Sequence, residues 1–216
     1  MKYTVEIART TKDPKILTKI LKRGKDDFAS FYAVQNPNCP LEILVEILKK
    51  GNDNYMSQCA YRNPNCPPEM LAEILRRGKD DEVSSWAARN PNCTPEILSE
   101  VLKREKNDHI SQIAAKNPKC PKFMLIEILK RENGDNVSKN AANNHNCPPE
   151  MLVKILRRED DDEVSYSASK NPNCPLEAKI KWMQAIGRIV KEDPTKHIIE
   201  YENIKEDDFQ DLKDLL

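Results

Sequence analysis

The sequence predicts an all-α fold, a right-handed α-solenoid of six two-helix repeats. The first observation behind this prediction is the motif Asn-Pro-Asn-Cys-Pro, which starts, with small changes, at positions 36, 63, 90, 117, 144 and 171. These positions are always 27 residues apart, so no copy carries an insertion or a deletion. An apolar stripe with helical spacing follows each motif, and a shorter helical segment precedes it. A fixed period of roughly 20–50 residues is the signature of stacked repeats.

The segment after each motif predicts an amphipathic α-helix, the longer helix of the repeat. In the second repeat its apolar residues are Met70, Leu71, Ile74 and Leu75, which share one face of a helix. A pair of Lys or Arg residues follows the stripe in five of the repeats. Cations in that place suit the negative C-terminal end of a helix.

The segment before each motif predicts a shorter helix, part of which is expected to be 3₁₀. In the third repeat Asp81 opens this segment as an N-cap. Asn90 closes it, because helical φ/ψ angles are disfavoured immediately before Pro91. A serine three residues after the opening residue recurs in all six repeats. We interpret it as a small first-turn residue that bonds to the backbone.

Six of the seven cysteines stand at the fourth position of the motif. In the second repeat Cys66 is expected to be the N-cap of the longer helix, with Pro67 at its first position and Glu69 at its third. Asn65 is expected to share the capping. Neighbouring helices pack about 8–10 Å apart, too far for a disulfide between equivalent cysteines. Buried structural thiols are the favoured interpretation, and a metal or redox role of the cysteine row is the alternative.

The array is expected to have distinct ends. Residues 1–26 would form an N-terminal cap and half-repeat, because residues 13–24 are in phase with the longer helix. Residues 27–178 would form the six-repeat solenoid. Residues 179–216 would form a C-terminal capping helix and a charged tail, since Trp182, Met183, Ile186 and Val190 replace the usual stripe. A terminal helix must cover the last open face of such an array.

Composition and charge narrow the possible functions. Lys plus Arg equals Asp plus Glu at 35 each, so the formal net charge is zero, whereas general nucleic-acid binders carry a basic excess. No apolar run is long enough to span a membrane. The first residues lack the apolar core of a signal peptide. These features predict a cytoplasmic protein.

The residues offer no catalytic set. His109, His145 and His197 fall at unrelated repeat positions, and the five glycines are scattered rather than gathered in a phosphate-binding loop. Recurring glutamates such as Glu96 are explained as capping partners. We therefore predict a protein that is not an enzyme, with no cofactor, no metal and no small-molecule substrate.

The repeats resemble the variant leucine-rich repeat family. Residues 87–98 carry the resemblance with the sequence Ala-Ala-Arg-Asn-Pro-Asn-Cys-Thr-Pro-Glu-Ile-Leu, and so do their equivalents over residues 13–178. The resemblance implies a superhelix of alternating 3₁₀-like and α-helices, with the short helices on the concave side. Three features depart from the family: cysteine replaces its frequent threonine, the period is slightly long, and residues 1–26 lack the cysteines of the iron–sulfur module that some members carry.

The candidate binding surface consists of the positions of the short helices at which the residue changes from repeat to repeat, and we call each set of equivalent positions a column. On the concave side they would form a polar and basic groove with interleaved aromatic residues; the alternative is a solvated face whose aromatic residues only pack. The leading hypothesis is a scaffold that recognises a protein or peptide partner there, and the second is single-stranded nucleic-acid binding along the basic column. The candidate partner-binding residues are Gln35, Arg62, Arg89, Lys116, Lys170, Tyr32, Tyr61, Trp86 and Tyr166.

Overall fold

A computed structural model describes residues 3–50 and 54–188, and in these ranges the chain forms fourteen α-helices and no strand. The chain divides into two compact units, Met1–Met124 and Leu125–Leu216. The first unit holds α1 (Val5–Thr10), α2 (Pro14–Leu21), α3 (Phe28–Gln35), α4 (Leu41–Lys49), α5 (Tyr55–Arg62), α6 (Pro68–Arg76), α7 (Glu82–Arg89), α8 (Pro95–Leu102) and α9 (His109–Lys116). The second unit holds α11 (Asn136–Asn143), α12 (Pro149–Leu156), α13 (Glu163–Lys170) and α14 (Leu176–Ala185), and α10 (Lys122–Lys130) crosses the boundary.

Each unit is a stack of two-helix repeats, which confirms the predicted all-α solenoid class. We call α3, α5, α7, α9, α11 and α13 the first helices of the repeats, and the helices that follow them the second helices. In the first unit α1, α3, α5, α7 and α9 pack on one another in that order, and each first helix also packs on the second helix before it. In the second unit α11 packs on α13, and α12 packs on both α13 and α14.

The first helices are α-helical over eight residues each, rather than partly 3₁₀ as expected. Each begins at an Asp or Asn whose side chain accepts the backbone N–H of the recurring serine, as predicted for the N-cap. In the first repeat the Ser30 N–H lies 2.9 Å from Asp27 Oδ1, and the Ser30 hydroxyl donates to the same oxygen. The N–H of Ser30 lowers the pKa of Asp27 below its usual value. The Asp or Asn side chain therefore caps the helix, and the expectation that the serine side chain bonds to the backbone is wrong for Ser30, whose hydroxyl donates to the Asp27 carboxylate.

The second helices begin one residue later than predicted, so the expectation that cysteine is their N-cap is wrong. The N-cap of α6 is Pro67 and that of α8 is Thr94, which places Glu69 and Glu96 at the second helical position. In α6 and α8 the prolines at 68 and 95 hold the residue before them out of the helical region, but α4 and α14 begin at the same place with Leu41 and Leu176 there. Cys66 therefore precedes the cap, and its thiol only approaches the Pro67 carbonyl at 4.0 Å.

The turns between the two helices are held by a buried asparagine ladder that the sequence analysis did not predict. Asn63 Nδ2 donates to the carbonyls of Val34 at 2.5 Å and Asn36 at 3.0 Å in the preceding repeat. Its Oδ1 accepts the N–H of Asn65 at 2.8 Å, so the whole amide is satisfied. We define the asparagine ladder as the residues that bond in this way within a unit: Asn36, Asn63, Asn90, Asn117 and Asn171.

Both ends of the array show features that the sequence analysis did not predict. At the N-terminus α2 is the expected half-repeat, and α1 is an additional short helix that packs on α3. At the C-terminus Trp182 of α14 is buried, and its indole N–H donates to the Asp160 carbonyl at 2.9 Å. The predicted boundary between residues 178 and 179 falls inside α14. Val190, His197 and the charged tail lie outside the described residues.

A left-handed residue follows α2, α6, α8, α10 and α12, and it is glycine at positions 24 and 78 but glutamate at 105, 132 and 159. Glutamate pays a steric cost at positive φ that glycine avoids. We expect Glu105→Gly to raise the free energy of unfolding by about 1 kcal/mol, measured by urea denaturation, because relief of a left-handed strain of about 1–2 kcal/mol exceeds the greater freedom of glycine in the unfolded chain. Gly78→Ala is the reciprocal test: the nearest atom to an added Cβ is an Arg104 nitrogen 3.7 Å away, so any loss reports backbone strain. Equal stability of both variants and the wild type would contradict this expectation.

Candidate binding face of the first helices

The face formed by α3, α5, α7 and α9 in the first unit carries most of the predicted partner-binding residues. Arg62, Arg89 and Lys116 are the last residues of three consecutive first helices, and we call them the basic row. Arg89 and Lys116 are exposed, and Arg62 is half-buried. Gln35 holds the equivalent place in α3, and Lys170 holds it in α13 of the second unit.

A cation–aromatic cluster lies in the middle of this face. The guanidinium carbon of Arg62 is 3.5 Å from the centroid of the Trp86 ring, and that of Arg89 is 5.1 Å from it. Arg62 also lies 6.0 Å from the centroid of Tyr55. Arg62 Nε and Trp86 Nε1 are buried without a hydrogen-bond partner in the part of the chain that is described. Stacking on Trp86 therefore orients the Arg62 guanidinium. Arg62 Nε and Trp86 Nε1 are removed from water without gaining a hydrogen bond in return.

The Arg62–Trp86 contact follows a rule that recurs along the face: variable residues 24 positions apart meet between adjacent repeats. Gln35 Nε2 lies 3.0 Å from Cys59 Sγ in the same relation. A second set with the same offset comprises the pairs Phe31–Tyr55, Gln58–Glu82 and Lys139–Glu163. Many of the variable side chains on this face therefore contact a variable side chain of the neighbouring repeat. Such contacts are what we expect if the aromatic residues of this face serve packing between repeats.

Aromatic side chains extend the face along α3 and α5. Phe28 stacks edge-on against Phe31 with centroids 6.1 Å apart, and Phe31 does the same with Tyr55 at 4.7 Å. Phe28 is 71% exposed and Tyr55 is 46% exposed. Tyr32, one of the predicted residues, is also exposed. The sequence analysis missed Tyr55, which the offset of 24 from Phe31 could have identified.

The expected surface position of Tyr61 is wrong, because its side chain is only 4% exposed. Tyr61 stands two residues before the Asn-Pro pair, where the neighbouring repeats have the buried residues Val34 and Ala88. This column faces the interior of the stack, so a tyrosine there packs inside. Tyr61 is therefore not a partner-binding residue.

An acidic groove of about 360 Å³ borders Trp86 on the side of the helix N-termini. The carboxylate of Asp80 accepts the N–H groups of His109 at 3.1 Å and Ile110 at 3.2 Å. Glu82 accepts from Gln58 at 3.3 Å. These acidic groups are engaged by neighbouring donors, as expected for anions at helix N-termini. Arg89 and His109 line the same groove, so acidic groups and one cation of the basic row lie close together on this face.

The cations of the basic row differ in their partners from Arg23 and Arg76 of the same unit. Arg23 pairs with Asp27 at 3.0 Å and Arg76 with Glu100 at 2.8 Å. Within the described residues no carboxylate lies within 4 Å of Arg62, Arg89 or Lys116; the only polar neighbour of the Arg89 guanidinium is His109 Nε2 at 3.5 Å. The exposed Arg89 and Lys116 therefore keep hydrogen-bond donors for solvent or for a ligand.

The predicted residues of the second unit form a smaller cluster of their own. Lys170 Nζ is 5.7 Å from the centroid of the Tyr166 ring, and the Arg188 guanidinium is 5.8 Å from the same centroid. Arg188 also pairs with Asp161 at 2.7 Å. This arginine, unlike those of the basic row, already has its carboxylate.

The cysteines lie in the interior as free thiols, which supports their structural interpretation. Burial raises the pKa of Cys39, Cys66, Cys93, Cys120 and Cys147 from 9.0 to about 12. A thiol with so high a pKa is a poor nucleophile at neutral pH. In residues 3–50 and 54–188 no three His, Cys, Asp or Glu side chains are placed to hold a metal ion.

Comparison with family models, curated proteins and solved structures finds no match. The resemblance to variant leucine-rich repeats therefore stays a prediction. None of the described helices has the length and apolar character needed to cross a membrane. What the structure defines is an all-α repeat protein with a cation–aromatic cluster on its first-helix face.

Proposed function

We propose that this protein is a non-enzymatic binding protein that recognises a protein or peptide partner on the first-helix face of its first unit. The observation that supports the proposal is the Arg62–Trp86–Arg89 cluster, in which two guanidinium groups flank a tryptophan and have no carboxylate partner among the described residues. Arginine and tryptophan are the residue types most enriched at the energetic centres of interfaces.

A peptide fits this face better than a single-stranded nucleic acid, the second candidate. Base stacking requires a free aromatic face beside the cations. The Arg62 guanidinium lies 3.5 Å from the Trp86 centroid and so covers one face of that ring. A phosphate chain beside Trp86 would meet Asp80, Asp81 and Glu82, which line the same groove.

Selection of a displayed library of random peptides on the full chain tests the proposal. We expect the selected peptides to bind the double variant Arg62→Gln, Arg89→Gln at least about tenfold more weakly, because each lost charge-assisted contact costs about one factor of ten. Arg76→Gln is the matched control, since Arg76 lies on a second helix and pairs with Glu100; its affinity should equal that of the wild type.

Two outcomes would contradict the proposal: failure to select any peptide, or equal binding by the double variant and the wild type. A labelled single-stranded oligonucleotide, titrated at several salt concentrations, is the parallel arm. Binding of the oligonucleotide that weakens steeply with salt and depends on Arg62 and Arg89 would favour the nucleic-acid function instead.

A further inference from the structure

Two equivalent seams between second helices of the first unit differ in their packing. The open seam lies between α2 and α4, and the closed seam lies between α6 and α8, two periods of 27 residues further along the chain. The open seam holds a cavity of about 270 Å³. Its apolar floor is half-buried, whereas the equivalent residues of the closed seam are at most 3% exposed. The floor consists of Leu21, Ile43, Ile47 and Met56, and the equivalents are Leu75, Ile97, Val101 and Ile110.

The closed seam is filled by an arginine side chain. Arg104 Nη2 donates to the Leu75 carbonyl at 2.9 Å. Arg104 Nη1 lies 3.7 Å from the place where a Cβ on Gly78 would stand. In the open seam Lys50 holds the position of Arg104, but its ammonium pairs with Glu46 of the same helix at 3.3 Å. The lysine therefore does not do in the open seam what the arginine does in the closed one.

Position 50 is the exception among its equivalents. The other five carry arginine: Arg23, Arg77, Arg104, Arg131 and Arg158. A Cβ added to Gly24, the equivalent of Gly78, would meet no atom within 4 Å. The Leu21 carbonyl accepts the N–H of Gly24 at 3.1 Å and receives no side-chain donor from the described residues. The open seam thus has the acceptor and the space of the arginine site without its guanidinium.

The surroundings of this acceptor favour a cation. The Leu21 carbonyl stands at the C-terminal end of α2, where a helix carries a partial negative charge. The carboxylates of Glu46 and Asp26 line the same cavity. Asp26 forms no ion pair with the described residues, so its carboxylate is available to a ligand.

Lysines at the rim of the cavity do not exclude a guanidinium. Lys22 and Lys25 are exposed, and the long stem of a lysine lets its ammonium remain in water. The closed seam has cations at the same two positions, Arg76 and Lys79. It nevertheless holds the guanidinium of Arg104, so the open seam can hold one as well.

We infer that the open seam binds an arginine side chain of a partner protein. The guanidinium donates to the Leu21 carbonyl and to the carboxylates of Asp26 and Glu46, and its planar fork suits both kinds of acceptor. The methylene stem packs on the half-buried Ile43 and Met56. This site involves none of the residues of the Arg62–Trp86–Arg89 cluster, so the inference goes beyond the proposed function and does not rest on it.

Titration of the full chain with Nα-acetylarginine amide tests the inference, with the ¹³C-labelled methyl group of Met56 observed by NMR. Met56 lines the cavity, so its signal reports binding at this place. We expect half-saturation at a concentration at least about tenfold lower than with Nα-acetylcitrulline amide, which has the same shape without the charge. We expect the same difference from Nα-acetyllysine amide, which has the charge without the fork.

The variant Lys50→Arg should weaken binding of Nα-acetylarginine amide at least about tenfold, because its own guanidinium then fills the seam. The substitution introduces the residue that the equivalent positions carry, so the variant should fold. Lys49→Arg is the matched control: Lys49 is exposed and lies outside the lining of the cavity, and its affinity should equal that of the wild type.

Three outcomes would overturn the inference. The first is equal binding of the arginine, citrulline and lysine compounds. The second is unchanged binding by Lys50→Arg. The third is tighter binding of Nα-acetylglutamate amide, which the rim lysines alone would favour. Each of these leaves the proposed function standing, since that proposal is tested by Arg62→Gln, Arg89→Gln on a different surface.

Discussion

Substitution of Asn90 by Asp is expected to lower the free energy of unfolding by about 3–5 kcal/mol, because it places an unpaired charge in the buried asparagine ladder. Asn90 Nδ2 donates to the carbonyls of Tyr61 and Asn63, and both partners lose their donor when the amide becomes a carboxylate. A buried acceptor left without a donor costs about 1–3 kcal/mol by itself. Urea denaturation followed by circular dichroism at neutral pH measures the loss.

The matched control is Asn92→Lys in the same turn. Asn92 Nδ2 donates to the Pro64 and Cys66 carbonyls, but its position is lysine at residue 119 in the next repeat, so the backbone accommodates that residue. We expect this variant to lose less than about 1 kcal/mol. The loss in Asn90→Asp should shrink at acidic pH, where the introduced carboxyl is protonated and can donate. Equal losses for Asn90→Asp and Asn92→Lys would show that burial of the ladder does not govern stability.

The repeat period and the caps of the first helices could be predicted because they depend on local rules. Asp81 was recognised as an N-cap from its place before a helical stripe, and Asn90 as a helix end from the proline that follows it. The partners of Asn90 lie 27 and 29 residues earlier in the chain. No rule about neighbouring residues reaches that distance, so its role in the ladder could not be seen. Cys66 was misplaced at the cap for a different and local reason, because the restriction that Pro68 places on Pro67 was not applied.

The sequence predicted which positions of the repeat belong to the candidate site, but it did not predict which side chains contact one another. Comparison of equivalent positions in the repeats identified Arg62, Trp86 and Arg89, and the structure brings these three side chains together. It could not tell that Tyr61 points inward, because a residue's face depends on how the first helices stack. Once the offset of 24 residues between facing positions is known, Tyr55 and Trp86 follow from Phe31 and Arg62 by addition.

The asparagine ladder and the basic row are parts of one arrangement. The C-terminal end of a helix carries unpaired carbonyls and a partial negative charge. The ladder donates to these carbonyls from inside the stack, while Arg62 and Arg89 stand at the same helix ends on the surface. The turn has the same length in every repeat, and its asparagine stabilises the stack. The last residue of each first helix is not needed for that role, so it can differ between repeats.

The second large effect is expected at alkaline pH, where the buried thiols should destabilise the fold. Burial raises the pKa of five cysteines from 9.0 to about 12, so the native state keeps protons that the unfolded chain releases. The protonated buried thiols contribute fully to the free energy of unfolding below pH 9, and this contribution is lost as the pH rises towards 12. Between pH 9 and 10 each thiol should cost about 1 kcal/mol, and the five together about 5 kcal/mol.

Urea denaturation at several pH values from 8 to 10, under reducing and oxygen-free conditions, measures this loss. Cys93→Ala supplies the control. It should lower stability at every pH through the lost packing of a buried side chain, but the decline between pH 9 and 10 should be shallower than in the wild type because one titrating thiol is gone. A free energy of unfolding that stays level from pH 8 to 10, or an unchanged slope in Cys93→Ala, would show that these thiols do not govern the alkaline limit of the fold.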